Sequence, residues 1–366
     1  MDALHALIEH ELLANFEGNL FEFRGNIPAL NGRVLNSFQR YPLQEQIQLA
    51  LGLEASQDCD QSSYACTKSK MAFLSSELVG LTCGASGRGF REIIPALAGV
   101  FLIQQASSIL DDIQDGDRET SLDKVLDVST ALNLALLMLN RGQEILVCNL
   151  AQLAEQRHTQ TDYLGVVVEL NRAIGGALRG QLLDTQETKQ PLPLREVDIE
   201  QYIAKIALKS GSRFSFLAGL GAILGGANAA ELQWYRQFGY RAGIALNLMS
   251  DLYDYAGGGA DGIEQCRDYR TGVFNLPLIY LYENQPGAAE KQAFLQLWAQ
   301  SLESAEYLPA FKAILPWEAA YRQTLELINH YIDQAEEALR QLDPTLEKPE
   351  HRDLLWLLRQ HLVVPA

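Results

Sequence analysis

Two clusters of oxygen-bearing side chains sit at the ends of apolar helical runs, where acids are poorly tolerated. The segment PALAGVFLIQQASSILDDIQDGDRET is apolar for about three turns and then delivers Asp111, Asp112 and Asp115 just before Gly116. Residues four apart share a helix face, so Asp111 and Asp115 project together from the end of a buried helix. The C-terminal end of a helix carries partial negative charge and disfavours acids. A cation would relieve both strains, and carboxylates completed by water and phosphate oxygens are the usual ligand set of Mg²⁺. A second cluster, NLMSDLYDY at 247–255, follows the apolar run RAGIAL and precedes AGGGADG. Here Asn247 and Asp251 lie four apart, and Asp251 and Asp254 three apart. Two such helix ends facing each other across a bundle would make a multi-metal diphosphate site, with divalent cations bridging carboxylates to phosphate oxygens. The alternative for each cluster taken singly is a solvated acidic helix end followed by a turn.

The elements that must position these clusters read as helices. No proline occurs between Pro95 and Pro191 or between Pro193 and Pro277, and apolar residues recur across both intervals at helical rather than alternating spacing. The expected fold class is all-α, with several helices of about 20 residues or more. Some are apolar nearly all round, as suits helices inside a single large bundle. Loops are expected at Gly25–Pro28, Ala55–Ser63, Lys189–Pro193 and Gly257–Gly262. None is long enough to link separate domains, so one structural domain is expected. From Pro316 to the end the pattern predicts two amphipathic helices, split at Pro344 and Pro349.

The 366-residue chain carries 29 basic and 46 acidic residues, a net charge of −17. That field repels nucleic acid and anionic lipid, which excludes both as main partners. Five cysteines at 59, 66, 83, 148 and 266 form no CxxC pair and no zinc spacing, which points to thiols in a reducing cytoplasm. The start, MDALHALIEHELLANF, is acidic where a secretion signal needs basic residues. The most apolar run, Ile93–Ile103, is short for a bilayer and contains Pro95, so no integral membrane segment is expected.

The chain resembles the trans-isoprenyl diphosphate synthases (polyprenyl synthetase family) from about residue 60 onward. IQQASSILDDIQDGD resembles the first aspartate-rich motif, and GQLLD at 180–184 the family's Gly-Gln-x-x-Asp. YIAKIALKSGSRF at 202–214 resembles the segment whose Lys-Thr faces the substrate diphosphate, here Lys209 and Ser210. GIALNLMSDLYDY resembles the second aspartate-rich motif, and DYRTGVFNLPL at 268–278 the segment after it. The resemblance implies an isoprenoid-synthase bundle around a central cavity over 61–366, with residues 1–60 as loosely matched N-terminal helices. It implies a homodimer and a prenyl diphosphate substrate. Mg²⁺, three ions by family habit, would be held by Asp111, Asp112, Asp115, Asn247, Asp251 and Asp254. The central catalytic roles fall to Asp111, Asp115, Lys209 and Asp251. Gln181, Lys209 and Arg118 would contact the diphosphate. Arg267 and Arg270 would do the same or occupy an exposed loop. Ala106 and Ser107 would line the cavity floor. Neither is aromatic, so a substrate of C15 or longer is expected.

The departures from the family bear on function. Before the first aspartate helix, chain-elongating members carry a Gly-Lys-Arg-x-x-Arg-Pro motif for isopentenyl diphosphate. This chain reads YACTKSKMAFLSSELVG there, with Lys68 and Lys70 and no arginine. After DDIQD the family's Arg-Arg pair is replaced by DRETSLDK. Lysine does not reproduce arginine's two-pronged phosphate contact. Ser250 stands for the leading acid of the second motif, which would weaken the third metal, and Val273 and Asn275 replace a Lys and a Thr. The leading expectation is therefore a class I enzyme that ionises a prenyl diphosphate and cyclises it, or transfers it to another acceptor, in the manner of a terpene synthase. The alternatives are ordinary chain elongation and a non-catalytic subunit of a heteromeric synthase. Tyr253 and Tyr255 are candidates for cation–π stabilisation or for plain packing.

Overall fold

In the computed structural model, residues 5–8, 10–12, 64–115, 126–157, 163–188, 198–255, 263 and 266–360 are described. Among them every regular element is helical, as the spacing predicts: the chain is all-α. The four expected loops, the boundary expected near residue 60, and Arg118 fall outside the described residues, as do the side chains of Lys68, Lys70, Asp115 and Arg267. The chain divides into two compact units, residues 1–167 and 168–366.

In the first unit, α1 (Tyr64–Ala85) packs on α2 (Ile94–Asp115), which packs on α3 (Val128–Arg157). Pro95 sits in the first turn of α2, close to the helix start where proline is best tolerated. The turn Phe90–Ile93 and α2 give a continuous run, 90–114, that is long and apolar enough to cross a membrane by length and composition. That is longer than the Ile93–Ile103 run suggests; 72% of its apolar window is buried in the structure. Its buried stripe continues through Leu102, Gln105, Ala106, Ile109 and Asp112, the three-and-four spacing of one helix face. α4 (Tyr163–Thr188) begins in this unit and continues into the second.

The second unit is built on α7 (Ala229–Tyr255). Against it pack α6 (Ser212–Gly225), α12 (Trp317–Arg340) and the π-helical turn Ala207–Gly211, which follows α5 (Ile199–Ile206) directly. Asp198 starts α5 by accepting the N–H of Glu200 at 2.8 Å. The short helices α8 (Arg267–Thr271) and α9 (Leu276–Glu283) follow, with Asn275 as the side-chain cap of α9. α10 (Ala288–Glu303) and α11 (Leu308–Lys312) complete the middle of this unit. α12 starts directly after Pro316 and α13 (Pro349–Gln360) begins on its proline, so the tail is the pair of helices that the prolines predict.

Candidate active site

The second unit gathers a ring of polar contacts around the π-turn. Lys205 Nζ lies 2.7 Å from Asp184 Oδ1, and Lys209 Nζ 3.2 Å from Asp184 Oδ2. One carboxylate of the GQLLD segment thus holds two lysines from YIAKIALKSG. On the other side Tyr202 donates its hydroxyl to Asp251 Oδ2 at 2.5 Å, and Lys205 Nζ stands 4.9 Å from the Tyr202 ring centroid. Asn247 Nδ2 approaches Asp251 Oδ1 at 3.4 Å, and Ser210 Oγ donates to Asn247 Oδ1 at 2.8 Å. Ser210 follows Lys209 in the chain, so the contacts close into a ring joining α4, α5, the π-turn and α7.

Local sequence makes this ring possible. Tyr202, Lys205 and Lys209 are spaced three and four apart and share one helix face. The π-turn, a form often found at functional sites, begins just after Ile206 and contains both Lys209 and Ser210. Two glycines let helices close on it. A Cβ on Gly180 would lie 2.8 Å from Lys209 Cβ, and a Cβ on Gly243 only 2.6 Å from the carbonyl oxygen of Ser210.

The electrostatics follow from burial and neighbours. Burial pushes Asp184 up, but Lys205 and Lys209 more than offset it, so its carboxyl lies below the usual range. Burial, and then the charges of Asp268 and Asp184, push Asp251 well above the usual carboxylate range, against the Tyr202 hydrogen bond and Lys205. Burial and the neighbouring Asp251 hold the Tyr202 phenol well above its ordinary value, so Tyr202 is the donor.

Beside the ring lies a second network. Asp254 Oδ2 accepts the backbone N–H of Asp268 at 2.7 Å, near the N-terminus of α8. Asn275 Nδ2 donates to Asp268 Oδ2 at 2.6 Å, while Tyr255 donates to Asn275 Oδ1 at 3.2 Å. Asp254, expected as a metal ligand, therefore spends one oxygen on backbone. Asn275, where the family has Thr, is fully buried as a helix cap and bridge. Tyr255 is fully buried and hydrogen-bonded, whereas Tyr253, Arg270 and Ser250 are exposed.

In the first unit, Asp112 is buried on the inward stripe of α2 and Asp111 is half-buried. The phase of the helix thus buries Asp112 more deeply than Asp111. A polar ladder precedes them: Ser75 Oγ donates to Gln104 Oε1 and Gln104 Nε2 to Ser108 Oγ, both at 3.4 Å. Of the two expected floor positions, Ala106 is fully enclosed by packed neighbours, while Ser107 is half-buried with its hydroxyl on the Ile103 carbonyl at 2.9 Å. Gln181 is buried. Sequence reasoning passed over Tyr202, Lys205 and Asp268 and left Asp184 without a role. The three-and-four spacing of Tyr202, Lys205 and Lys209 is the signal that would have found the first two.

The polyprenyl synthetase profile matches residues 66–313. The chain belongs to the polyprenyl synthetase family. A decaprenyl-diphosphate synthase from Dictyostelium discoideum is 28% identical over 171 residues, covering 46% of this chain and 35% of that protein. The tryptophan prenyltransferase ComQ of Bacillus spizizenii is 27% identical over 212 residues, 58% of this chain and 66% of that one. The chain spans about a fifth to two thirds of the length of the curated relatives it matches. A solved polyprenyl synthase from Caulobacter crescentus CB15, complexed with calcium and isoprenyl diphosphate, superposes with a TM-score of 0.64 at 18% identity, covering 91% of this chain and 97% of that one. This polyprenyl synthetase thus shares the all-α fold of the solved isoprenyl diphosphate synthases.

The donors of this family member fit a hard divalent cation. Among the described residues no three His, Cys, Asp or Glu side chains converge into a cage that would hold a metal alone. Mg²⁺ is commonly held by one or two carboxylates, with waters and substrate phosphates completing the shell, and that is what each aspartate cluster offers. Asp251, disfavoured as an anion by burial and by two other acids, is a carboxylate that a cation would restore to its charged form.

Proposed function

We propose that this chain is a prenyltransferase that ionises a trans prenyl diphosphate of C15 or longer and extends it with isopentenyl diphosphate. The observation that carries this reading is the Asp184–Lys205–Lys209 cluster on the π-turn, beside Asp251, inside the segment matched to the polyprenyl synthetase family. The Dictyostelium relative is a decaprenyl-diphosphate synthase, which supports elongation.

Asp111, Asp112 and Asp115 in the first unit, and Asn247, Asp251 and Asp254 in the second, are the residues that would hold Mg²⁺. Bound there, Mg²⁺ supplies positive charge that stabilises diphosphate as a leaving group. Lys209 adds an ammonium donor to that group and Gln181 a second contact; Lys205, more deeply buried, stays with Asp184. The allylic carbon–oxygen bond breaks with its electron pair leaving on the diphosphate. The double bond of isopentenyl diphosphate then attacks the allylic carbon, and loss of a proton restores the alkene. Apolar helix interiors keep water from the cation.

A second reading, transfer to a different acceptor or cyclisation, keeps the same ionisation. It is favoured by the segment holding Lys68 and Lys70 without arginine, and by the tryptophan prenyltransferase among the relatives. One experiment separates them: incubate the protein with Mg²⁺ and C10–C20 prenyl diphosphates, with and without isopentenyl diphosphate. Longer diphosphates formed only with isopentenyl diphosphate establish elongation. Pyrophosphate released with hydrocarbon, alcohol or prenylated-acceptor products establishes the second reading.

A homodimer is part of the same proposal. Val128, Leu132, Leu136 and Val147 leave an apolar face of α3 exposed, which a second copy would cover. A cytoplasmic location is supported by the thiols Cys83, Cys148 and Cys266.

A further inference from the structure

The second aspartate cluster leans on a side chain that the proposed chemistry leaves without a part. Tyr202 is 7% exposed, lies two turns before Lys209 on the same helix face, and places its hydroxyl on Asp251 Oδ2. Its ring is held from the other side by Lys205, itself fixed to Asp184. The phenol is thus anchored at both ends between a buried ion pair and the carboxylate.

We propose that Tyr202 is a positioning residue that pins Oδ2 of Asp251, so that Oδ1, which Asn247 Nδ2 approaches only at 3.4 Å, is the oxygen offered to the cation accompanying the diphosphate. The inference rests on reading this cluster as a Mg²⁺–diphosphate site. A carboxylate at the end of a side chain turns about two bonds, and ordering it at the moment of binding costs affinity. A fixed donor on Oδ2 removes that freedom in advance. Donors of this kind behind a metal ligand are worth about 10–100-fold in metal affinity. Asp251 depends on the donor more than an ordinary ligand does. Its neighbour Ser250 offers no carboxylate, and Asp254 has one oxygen committed to the N–H of Asp268. The same contact links the two halves of the site, because Tyr202 and Lys209 belong to one continuous helical stretch.

The test is Tyr202→Phe in the full chain, which removes the hydroxyl and keeps the ring against Lys205. Binding of inorganic diphosphate is measured by calorimetry across a Mg²⁺ series, with wild type and Lys209→Ala alongside. The Mg²⁺ concentration needed for half-maximal diphosphate binding should rise about 10–100-fold in Tyr202→Phe. Saturating Mg²⁺ should return its diphosphate affinity to the wild-type value. Lys209→Ala should bind diphosphate weakly at every Mg²⁺ concentration. An unchanged Mg²⁺ requirement in Tyr202→Phe, or a loss that excess Mg²⁺ does not repair, overturns the proposal while leaving the site reading intact. Absence of Mg²⁺-dependent diphosphate binding by wild type overturns both. If the Phe variant fails to fold, Tyr202→Met, which removes the donor and keeps an apolar side chain in the site, decides by the same titration: a requirement raised and rescued by excess Mg²⁺ supports the proposal, and an unchanged requirement overturns it.

Discussion

Gly180 and Lys209 meet so closely that a methyl group on the glycine would stand 2.8 Å from Lys209 Cβ and 2.9 Å from its backbone nitrogen. The glycine of GQLLD is therefore what lets α4 approach the π-turn and Asp184 reach both lysines. Gly180→Ala must displace backbone rather than a side-chain tip. It should destabilise the protein by about 1–3 kcal/mol, in the range of core overpacking. It should also weaken Mg²⁺-dependent diphosphate binding by about tenfold or more through the displaced Lys209, a loss of the size of one charge-assisted hydrogen bond. Calorimetry and thermal unfolding on one preparation check both, and unaltered binding would contradict the packing argument.

The two lysines on Asp184 should behave differently. Lys205 is 4% exposed, so Lys205→Met breaks a buried pair. The cost should be about 2–3 kcal/mol, below the full penalty because Asp184 keeps Lys209. Lys209 is more open, so Lys209→Ala should cost about 1 kcal/mol or less in stability. Its effect should fall on diphosphate binding, which is expected to drop at least tenfold, in line with about 1.5–3 kcal/mol for a hydrogen bond to a charged group. Denaturant unfolding and diphosphate titration of both variants measure the contrast. A large stability loss in Lys209→Ala, with binding intact, would reverse the assignment.

These contrasts mark where the sequence was informative. The all-α class, the helix ends bearing acids and the proline-split tail were legible because each depends on spacing within one element. The partnership of Tyr202 with Asp251 spans 49 positions and that of Asn275 with Tyr255 spans 20, and spacing does not say which helix faces which. Asp254 illustrates the ambiguity. An acid at a helix end reads as a ligand, yet here one oxygen accepts a backbone N–H of the next helix. For Asp112, helical phase was available in the stripe Leu102, Gln105 and Ile109, but only packing shows that this stripe is the inward one.

The cavity-floor expectation now divides between its two residues. Ala106 is fully enclosed, so Ala106→Phe should act chiefly as overpacking, destabilising by about 1–3 kcal/mol. Ser107 is half-buried, with its hydroxyl on the Ile103 carbonyl. Ser107→Phe should leave the thermal midpoint nearly unchanged and shorten the preferred prenyl chain by about one isoprene unit, the scale of one added aromatic ring. Product chain lengths and unfolding curves of both variants decide this. Chain length that responds to Ala106 and not to Ser107 would place the floor on the other side of α2.

A last prediction concerns pH and lies away from the chemistry. Tyr235 on α7 lies 2.9 Å from His351 Nε2, and His351 Nδ1 lies 3.1 Å from Asp343 Oδ2, with His351 wholly buried. A neutral imidazole that donates from Nδ1 to Asp343 and accepts at Nε2 from the Tyr235 hydroxyl satisfies all three groups. Burial holds the His351 pKa below its ordinary 6.5, although Asp343 opposes this. As pH falls below about 6.5 the unfolded chain takes up the proton first, so folding stability is full above that value and declines beneath it. Asp343 works in the same direction at lower pH. The Lys348 N–H and His351 hold it down to about 2, so its contribution is complete above about 3.8 and is lost as pH falls toward 2. The thermal midpoint should therefore climb between about pH 5 and 7, by about 1–2 °C for each kcal/mol recovered. His351→Gln removes the titrating ring. It should lower the midpoint at pH 7.5, where the neutral His network is intact, and flatten the slope between pH 5 and 7. A variant that keeps the wild-type slope would show that the pH dependence arises elsewhere.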